Sequence, residues 1–134
     1  MHRAERIVAA ARACVGAPFR LHGRSVETGL DCIGLAALVL ARAGHKRLGA
    51  VPAAYSIRGG SVARFAQAME AAGLRRVRGE KPGDLVLVQA GAAQFHLMIA
   101  TNAGHVHAHA GLGRVVEMPG ASIWPVLACW RWGR

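Results

Sequence analysis

Acidic side chains are scarce in this chain. Seven Asp and Glu stand against 17 Lys and Arg, a formal charge of +10. The imbalance excludes an acidic, solvating chain and favours a polyanionic partner, whether nucleic acid, an anionic lipid surface or a carboxylate-rich polymer such as a bacterial cell wall. Nucleic-acid readers gather their charge on one stripe with aromatic or base-reading residues. Here the arginines are spread from Arg3 to Arg134, with one short cluster at Arg75, Arg76 and Arg78. No nucleic-acid partner is expected. Cysteines are few as well: Cys14, Cys32 and Cys129 cannot all pair, and no CxxC spacing occurs. A zinc ribbon and a disulfide framework are thereby excluded. No apolar run approaches the roughly 20 residues of a membrane span. Arg3, Glu5, Arg6 and Arg12 interrupt the first apolar stretch, so no secretory signal is read there.

What is present suits one compact domain over residues 1–134. The chain is 53% hydrophobic and 18% charged, enough apolar surface for a core and too little charge for wholesale disorder. A chain of this size buries roughly 68% of its unfolded surface, so it should stand without staples. Ile7, Val8, Ala11, Cys14 and Val15 recur at helical spacing over residues 2–15, ahead of Gly16 and Pro18. Asp31 stands as a cap before an apolar helix from Cys32 to Ala43, stopped by Gly44. Residues 45–60 read as a long loop, and Ser61 caps a third helix that ends at Gly73. Strand patterns follow at Leu85 to Val88, Phe95 to Thr101, His105 to Ala110, Arg114 to Met118 and Ile123 to Trp132. Helices first and strands afterwards predict an α+β fold, with the helices packed on a central antiparallel sheet.

Cys32 is the nucleophile candidate. At the start of a buried helix, a thiol faces unpaired N–H groups and the positive end of the dipole, which favour a thiolate. The same N–H groups can receive an oxyanion. Gly34 would let a substrate approach the backbone. Cys14 and Cys129 are assigned to the core.

A thiol needs a base, and four of seven histidines fall in one hairpin: His96, His105, His107 and His109. Residues two apart on a strand share a face, which groups the last three. His96 joins them if the turn at 102–104 has two residues, and faces away if it has three. Asn102 and Gly104 favour the tighter turn. His2 and His45 lie in exposed-looking contexts. A histidine-cluster metal site is the competing reading, although no carboxylate or cysteine stands nearby as a fourth ligand.

The run Gly29-Leu30-Asp31-Cys32-Ile33-Gly34-Leu35 resembles the nucleophile motif of the NlpC family of papain-like cell-wall cysteine peptidases. Pro82-Gly83-Asp84-Leu85 is similar to the strand leading to that family's catalytic histidine. His96 before Leu97-Met98-Ile99 matches that histidine, and Val106-His107-Ala108 its third catalytic position. Gly16-Ala17-Pro18-Phe19-Arg20 and Gly23 resemble its entry loop, with Phe19 standing where the family has tyrosine. The resemblance implies a papain-like fold with Cys32 as nucleophile, His96 as base and acid, and His107 orienting it. It also implies substrate contacts from Phe19, Arg20, His22 and Asp31, with no cofactor and no metal. The implied reaction is hydrolysis of γ-D-glutamyl bonds to a diamino acid in peptidoglycan stem peptides. The short form and the Arg114-Val115-Val116-Glu117 segment look most like chains encoded with phage tails and gene transfer agents. The expected setting is therefore the tail of a phage-like particle, made in the cytoplasm, with tail proteins as partners. The alternative is a binding or structural module of such a tail with little or no activity.

Overall fold

The computed structural model describes residues 2–50, 61–92 and 94–133. Three helices, α1 (Arg3–Ala13), α2 (Cys32–Arg42) and α3 (Val62–Ala71), precede the main sheet. A small hairpin, β1 (Arg24–Ser25) and β2 (Gly29–Leu30), sits between α1 and α2. The main sheet comprises β3 (Arg75–Val77), β4 (Leu85–Gly91), β5 (Gln94–Ala100), β6 (Gly104–His109), β7 (Arg114–Pro119) and β8 (Val126–Arg131). Its order is β3-β8-β4-β5-β6-β7, and every recorded pairing is antiparallel. This is the α+β arrangement that the order of patterns implies.

The helix starts follow their caps. The Glu5 carboxylate accepts from His2 N–H at 2.8 Å, and the Ser61 hydroxyl accepts from Arg64 N–H at 3.1 Å. Helix α1 ends earlier than its apolar pattern suggests. Cys14 is its buried C-cap, Gly16 turns at φ 96°, and Val15 is left exposed. The chain then runs along the outer edge of β7, where Gly16 N–H meets Val115 O at 2.9 Å and Val115 N–H meets Ala17 O at 2.8 Å. That pairing covers part of an edge that would otherwise be open.

Helix α2 is the axle of the fold, buried on nearly every face. It shares one core with Leu85, Leu87, Leu97, Ile99, Val106, Ala108 and Trp130 of the sheet. A smaller cluster covers the other side of the strands: Val86, Val88, Met98, Ala100 and Cys129, with Trp124 packed against it. Both sheet faces are therefore dry in the middle, which is why β4 reads as a continuous apolar run rather than an alternating one.

Some boundaries differ from the sequence patterns. Within the span read as a loop, Arg47–Ala50 forms a 3-10 turn, and residues 51–60 lie outside the described residues. Strand β3 escapes the reading because Arg75-Arg76-Val77 presents charge rather than alternation. The last strand begins at Val126 rather than Ile123, for Pro125 has no N–H to give a ladder. Trp124 instead folds onto Ser122, whose hydroxyl accepts from Trp124 N–H at 3.0 Å and donates to Trp124 O at 2.8 Å. The expected core residues Cys14 and Cys129 are buried, but so is His45, which the sequence places in an exposed context. Its Nε2–H donates to Ala72 O at 2.8 Å and its ring lies edge-on to Trp132.

Candidate active site

The site forms where α2 begins. Asp31 caps the helix: Oδ1 accepts from Gly34 N–H at 2.8 Å and Arg24 Nη1 at 3.2 Å, and Oδ2 accepts from His22 N–H at 2.8 Å. Both oxygens are thus engaged by the protein itself, and the residue is 9% exposed. Expected as a substrate contact, Asp31 stands in the structure as the pin between the entry loop and the helix. Gly34 likewise serves the fold rather than a ligand. A Cβ there would lie 1.9 Å from Gly23 O, so the loop, not a substrate, fills the space beside it.

The entry loop follows from the same contacts. Phe19 pairs with Leu30 in a parallel bridge, its N–H reaches Gly113 O at 2.9 Å, and its half-buried ring packs on the main core. Arg20 N–H donates to Leu30 O at 3.2 Å. Both residues are therefore anchored two positions ahead of Cys32, with the Arg20 side chain exposed. His22 is exposed and is the one non-glycine residue at positive φ, 61°, among the described residues. Such a conformation persists only where surrounding bonds hold it, here the bond from its N–H to Asp31.

Cys32 is 3% exposed. Burial pushes its thiol up to about 12, and the Asp31 charge adds to the rise. The N–H groups of Leu97, Ile33 and Cys32 itself face the sulfur and pull the other way. The helix start does supply the expected donors, but dehydration outweighs them, so the free chain holds a thiol rather than a thiolate. Leu97 N–H is available because the recorded β5–β6 pairing is confined to Ile99↔Val106 and Ala100↔His105. Nearer His96 the ladder opens, and the sulfur lies against the His96–Leu97 peptide.

The hairpin turn settles which face His96 takes. Thr101 N–H meets Gly104 O at 2.8 Å, closing a two-residue turn at Asn102-Ala103 and pairing even with odd positions. The Thr101 hydroxyl accepts from Ala103 and Gly104 N–H and donates to Glu117, which also holds Arg12 of α1. As the tight turn requires, His96 shares a face with His107 and His109. His96 Nε2 and His107 Nδ1 lie 2.9 Å apart, and the His107 and His109 rings 5.5 Å. His105 is drawn off to Glu80 at 2.7 Å.

Burial pushes His96 down to about 3 and His107 to about 4, with the neighbouring histidines disfavouring a second charge. Both are neutral at neutral pH. No hydrogen bond joins the Cys32 thiol to either ring among the described residues. Trp124, which the sequence reading missed, lies edge to face with both rings, 5.8 Å from His96 and 5.7 Å from His107. Nothing local in the sequence points to it, because the contact spans from a turn before β8 to β5 and β6. Among the described residues no group of three or more His, Cys, Asp or Glu is placed to hold a metal ion.

No family model and no curated protein matches the sequence. Solved structures do. The chain is similar to the NlpC/p60 domain of peptidoglycan hydrolase SagA, at 26% identity and TM-score 0.55, covering 87% of this chain and 88% of that one. It is similar to the P60 domain of an antigen from M. avium subspecies paratuberculosis, at 20% identity and TM-score 0.66, covering 97% and 94%. It is also similar to the peptidoglycan hydrolase RipB from Mycobacterium tuberculosis, at 21% identity and TM-score 0.61, covering 96% of this chain and 63% of that one. The chain has the NlpC/p60 fold, a papain-like α+β domain.

Proposed function

We propose that the chain is a cysteine peptidase that cleaves peptidoglycan stem peptides between γ-D-glutamate and a diamino acid. The observation that carries this reading is that the Cys32 sulfur lies against the β5 backbone at Leu97, next in sequence to a bonded histidine pair. Cys32 starts α2 with its sulfur against the His96–Leu97 peptide, and His96 is bonded to His107 at 2.9 Å. The likeness to NlpC/p60 peptidoglycan hydrolases supports the substrate class. Because thiol and imidazole are both neutral in the free chain, the proton moves as the substrate arrives rather than beforehand. His96 takes the Cys32 proton while the sulfur bonds to the amide carbonyl carbon. The Cys32 and Ile33 N–H groups, which face the sulfur in the free chain, receive the oxyanion as the sulfur bonds to carbon. His96 then donates that proton to the leaving amine, and water hydrolyses the thioester, restoring the thiol. His107 holds the tilt of His96, a role that needs no carboxylate. Arg20, His22 and Phe19 line the approach to Cys32 as substrate contacts.

The setting we propose is the tail of a phage or gene-transfer-agent particle, on the strength of the sequence resemblance to such short forms. The basic surface then captures an acidic wall, so binding to intact wall should weaken from about 0.05 to 0.5 M salt. Hydrolysis of a short soluble stem peptide should change far less. Mass spectrometry of purified particles checks the placement, and absence of the chain from them overturns it.

A second reading, a binding module with little activity, is favoured by Phe19 in place of a tyrosine hydroxyl and by the dehydrated Cys32. Digestion of purified peptidoglycan by the native chain and by Cys32→Ala, with products read by mass spectrometry, separates the two. Fragments cut at the γ-D-glutamyl bond by the native chain alone support the peptidase, and equal absence of products supports the module.

A further inference from the structure

His107 has a hydrogen-bonding problem that His96 does not solve. Its Nδ1 meets His96 Nε2 at 2.9 Å, while its own Nε2 is buried without a hydrogen-bond partner. A neutral imidazole carries one N–H, so two assignments exist for the pair. If His107 Nδ1–H donates to His96 Nε2, then His96 carries its own proton on Nδ1 and cannot accept another there. If His96 Nε2–H donates to His107 Nδ1, then His96 Nδ1 is bare and His107 carries its proton on the buried Nε2. Only the second arrangement leaves His96 Nδ1 able to accept a proton, and it needs something to receive the His107 Nε2–H.

Trp124 is in place for that. Its ring stands at 86° to His107 with centroids 5.7 Å apart, and at 77° to His96 with centroids 5.8 Å apart. Perpendicular rings at this separation suit an N–H directed at an aromatic face. The indole is held from both sides of its backbone by Ser122, and the next residue, Pro125, accepts from Gln89 N–H at 3.0 Å. The other titratable groups on this side of the sheet are otherwise engaged or remote from Nε2. His109 accepts from Leu112 N–H, His105 is paired with Glu80, and Cys129 lies in the apolar cluster.

We propose that Trp124 is a positioning residue: its indole face receives the His107 Nε2–H and selects the tautomer that leaves His96 Nδ1 free to take the Cys32 proton. The catalytic consequence rests on the peptidase reading, whereas the tautomer can be observed without it. The test is nitrogen NMR of the imidazoles in the native chain, in Trp124→Phe and in Trp124→Leu, with kcat and KM on a soluble stem peptide. In the native chain both His96 and His107 should carry the proton on Nε2. Trp124→Phe, which keeps a π face, should retain that pattern. Trp124→Leu should mix the tautomers of His96 and His107 while His105 and His109 stay as they are, and should lower kcat about tenfold with KM little changed. A proton on His107 Nδ1 in the native chain, or tautomers and kcat unchanged in both variants, overturns the proposal. If the native chain shows the expected tautomers yet cuts no stem peptide, the positioning role stands and the peptidase reading fails.

Discussion

Two buried polar centres sit on the same sheet and are resolved in opposite ways. Asp84, 1% exposed, is saturated: Lys81 N–H, Arg131 Nε and Arg131 Nη2 all reach its oxygens at 2.8 Å. It closes the turn into β4 and ties it to β8, and its partners leave no role for a ligand. His107, also 1% exposed, has one nitrogen bonded and the other without a hydrogen-bond partner. It is kept neutral by dehydration and by the neighbouring His109 and His105. A polar group that serves architecture has its bonding capacity filled. One that must hold a neighbouring imidazole in one tautomer keeps a nitrogen outside the hydrogen-bond network and accepts a cost in stability for it.

The comparison can be broken most severely at the nucleophile. Cys32→Ala should abolish wall digestion, a loss of at least about 10³-fold, and leave the thermal midpoint within a few degrees, because the chemistry is lost while the core keeps its shape. A rate that survives the substitution would remove Cys32 from the mechanism. Next in size is the saturated centre. Asp84→Ala should cost about 3 kcal/mol in denaturant unfolding, since it strands the Arg131 guanidinium and the Lys81 N–H together. Activity per folded molecule should be nearly unchanged. A loss below 1 kcal/mol would show that solvent near Arg131 replaces the carboxylate.

The histidine centre predicts a smaller, pH-dependent effect. Unfolded imidazoles titrate near 6.5, whereas the folded pair sits at about 3 and 4. Below pH 6.5 the unfolded chain therefore binds more protons than the folded one. Stability is complete above pH 6.5 and falls as the pH drops toward the folded values. Each imidazole should make unfolding at pH 5 easier than at pH 7 by about 2 kcal/mol, and His96→Gln/His107→Gln should flatten most of that slope. A native slope no steeper than that of the double variant would show the pair to be solvated.

Reactivity sharpens the same contrast. Position at a helix start alone predicts alkylation of Cys32 by iodoacetamide below pH 8. With burial holding the thiol up at about 12, Cys32 should instead resist labelling in the free chain until the pH passes about 9. Fast labelling at pH 7 would restore the thiolate expectation and the preformed ion pair. The smallest effect is expected at Phe19→Tyr, a rise of about fivefold in kcat/KM if the added hydroxyl reaches the substrate, since one hydrogen bond contributes about 1 kcal/mol net.

Much of the architecture is legible in local pattern. The capped helix after Asp31, the turn at Pro82-Gly83 and the even-odd grouping of the histidines follow from short-range chemistry. Where the reading slips, a long-range contact intervenes. Val15 keeps the helical period but is exposed, because the chain leaves α1 to meet β7. Asp31 and Gly34 suggest a ligand, yet the entry loop itself occupies both.

The sequence by itself determines which residues can do chemistry and on which elements they lie. Cys32 must start a buried helix, because Asp31 caps it and apolar residues follow on most of its faces. His105, His107 and His109 must share a sheet face by the two-residue period of a strand, and Asn102 and Gly104 favour the tight turn that brings His96 to it. Only the tertiary structure decides their state. Whether the sulfur is a thiol or a thiolate, and whether the imidazoles are charged, depends on the water excluded by α2, the splayed β5–β6 ladder and Trp124. Those come together from segments as far apart as residues 32 and 124. Dehydration is a property of the packed volume around a group, summed over every neighbour, and no local spacing encodes it.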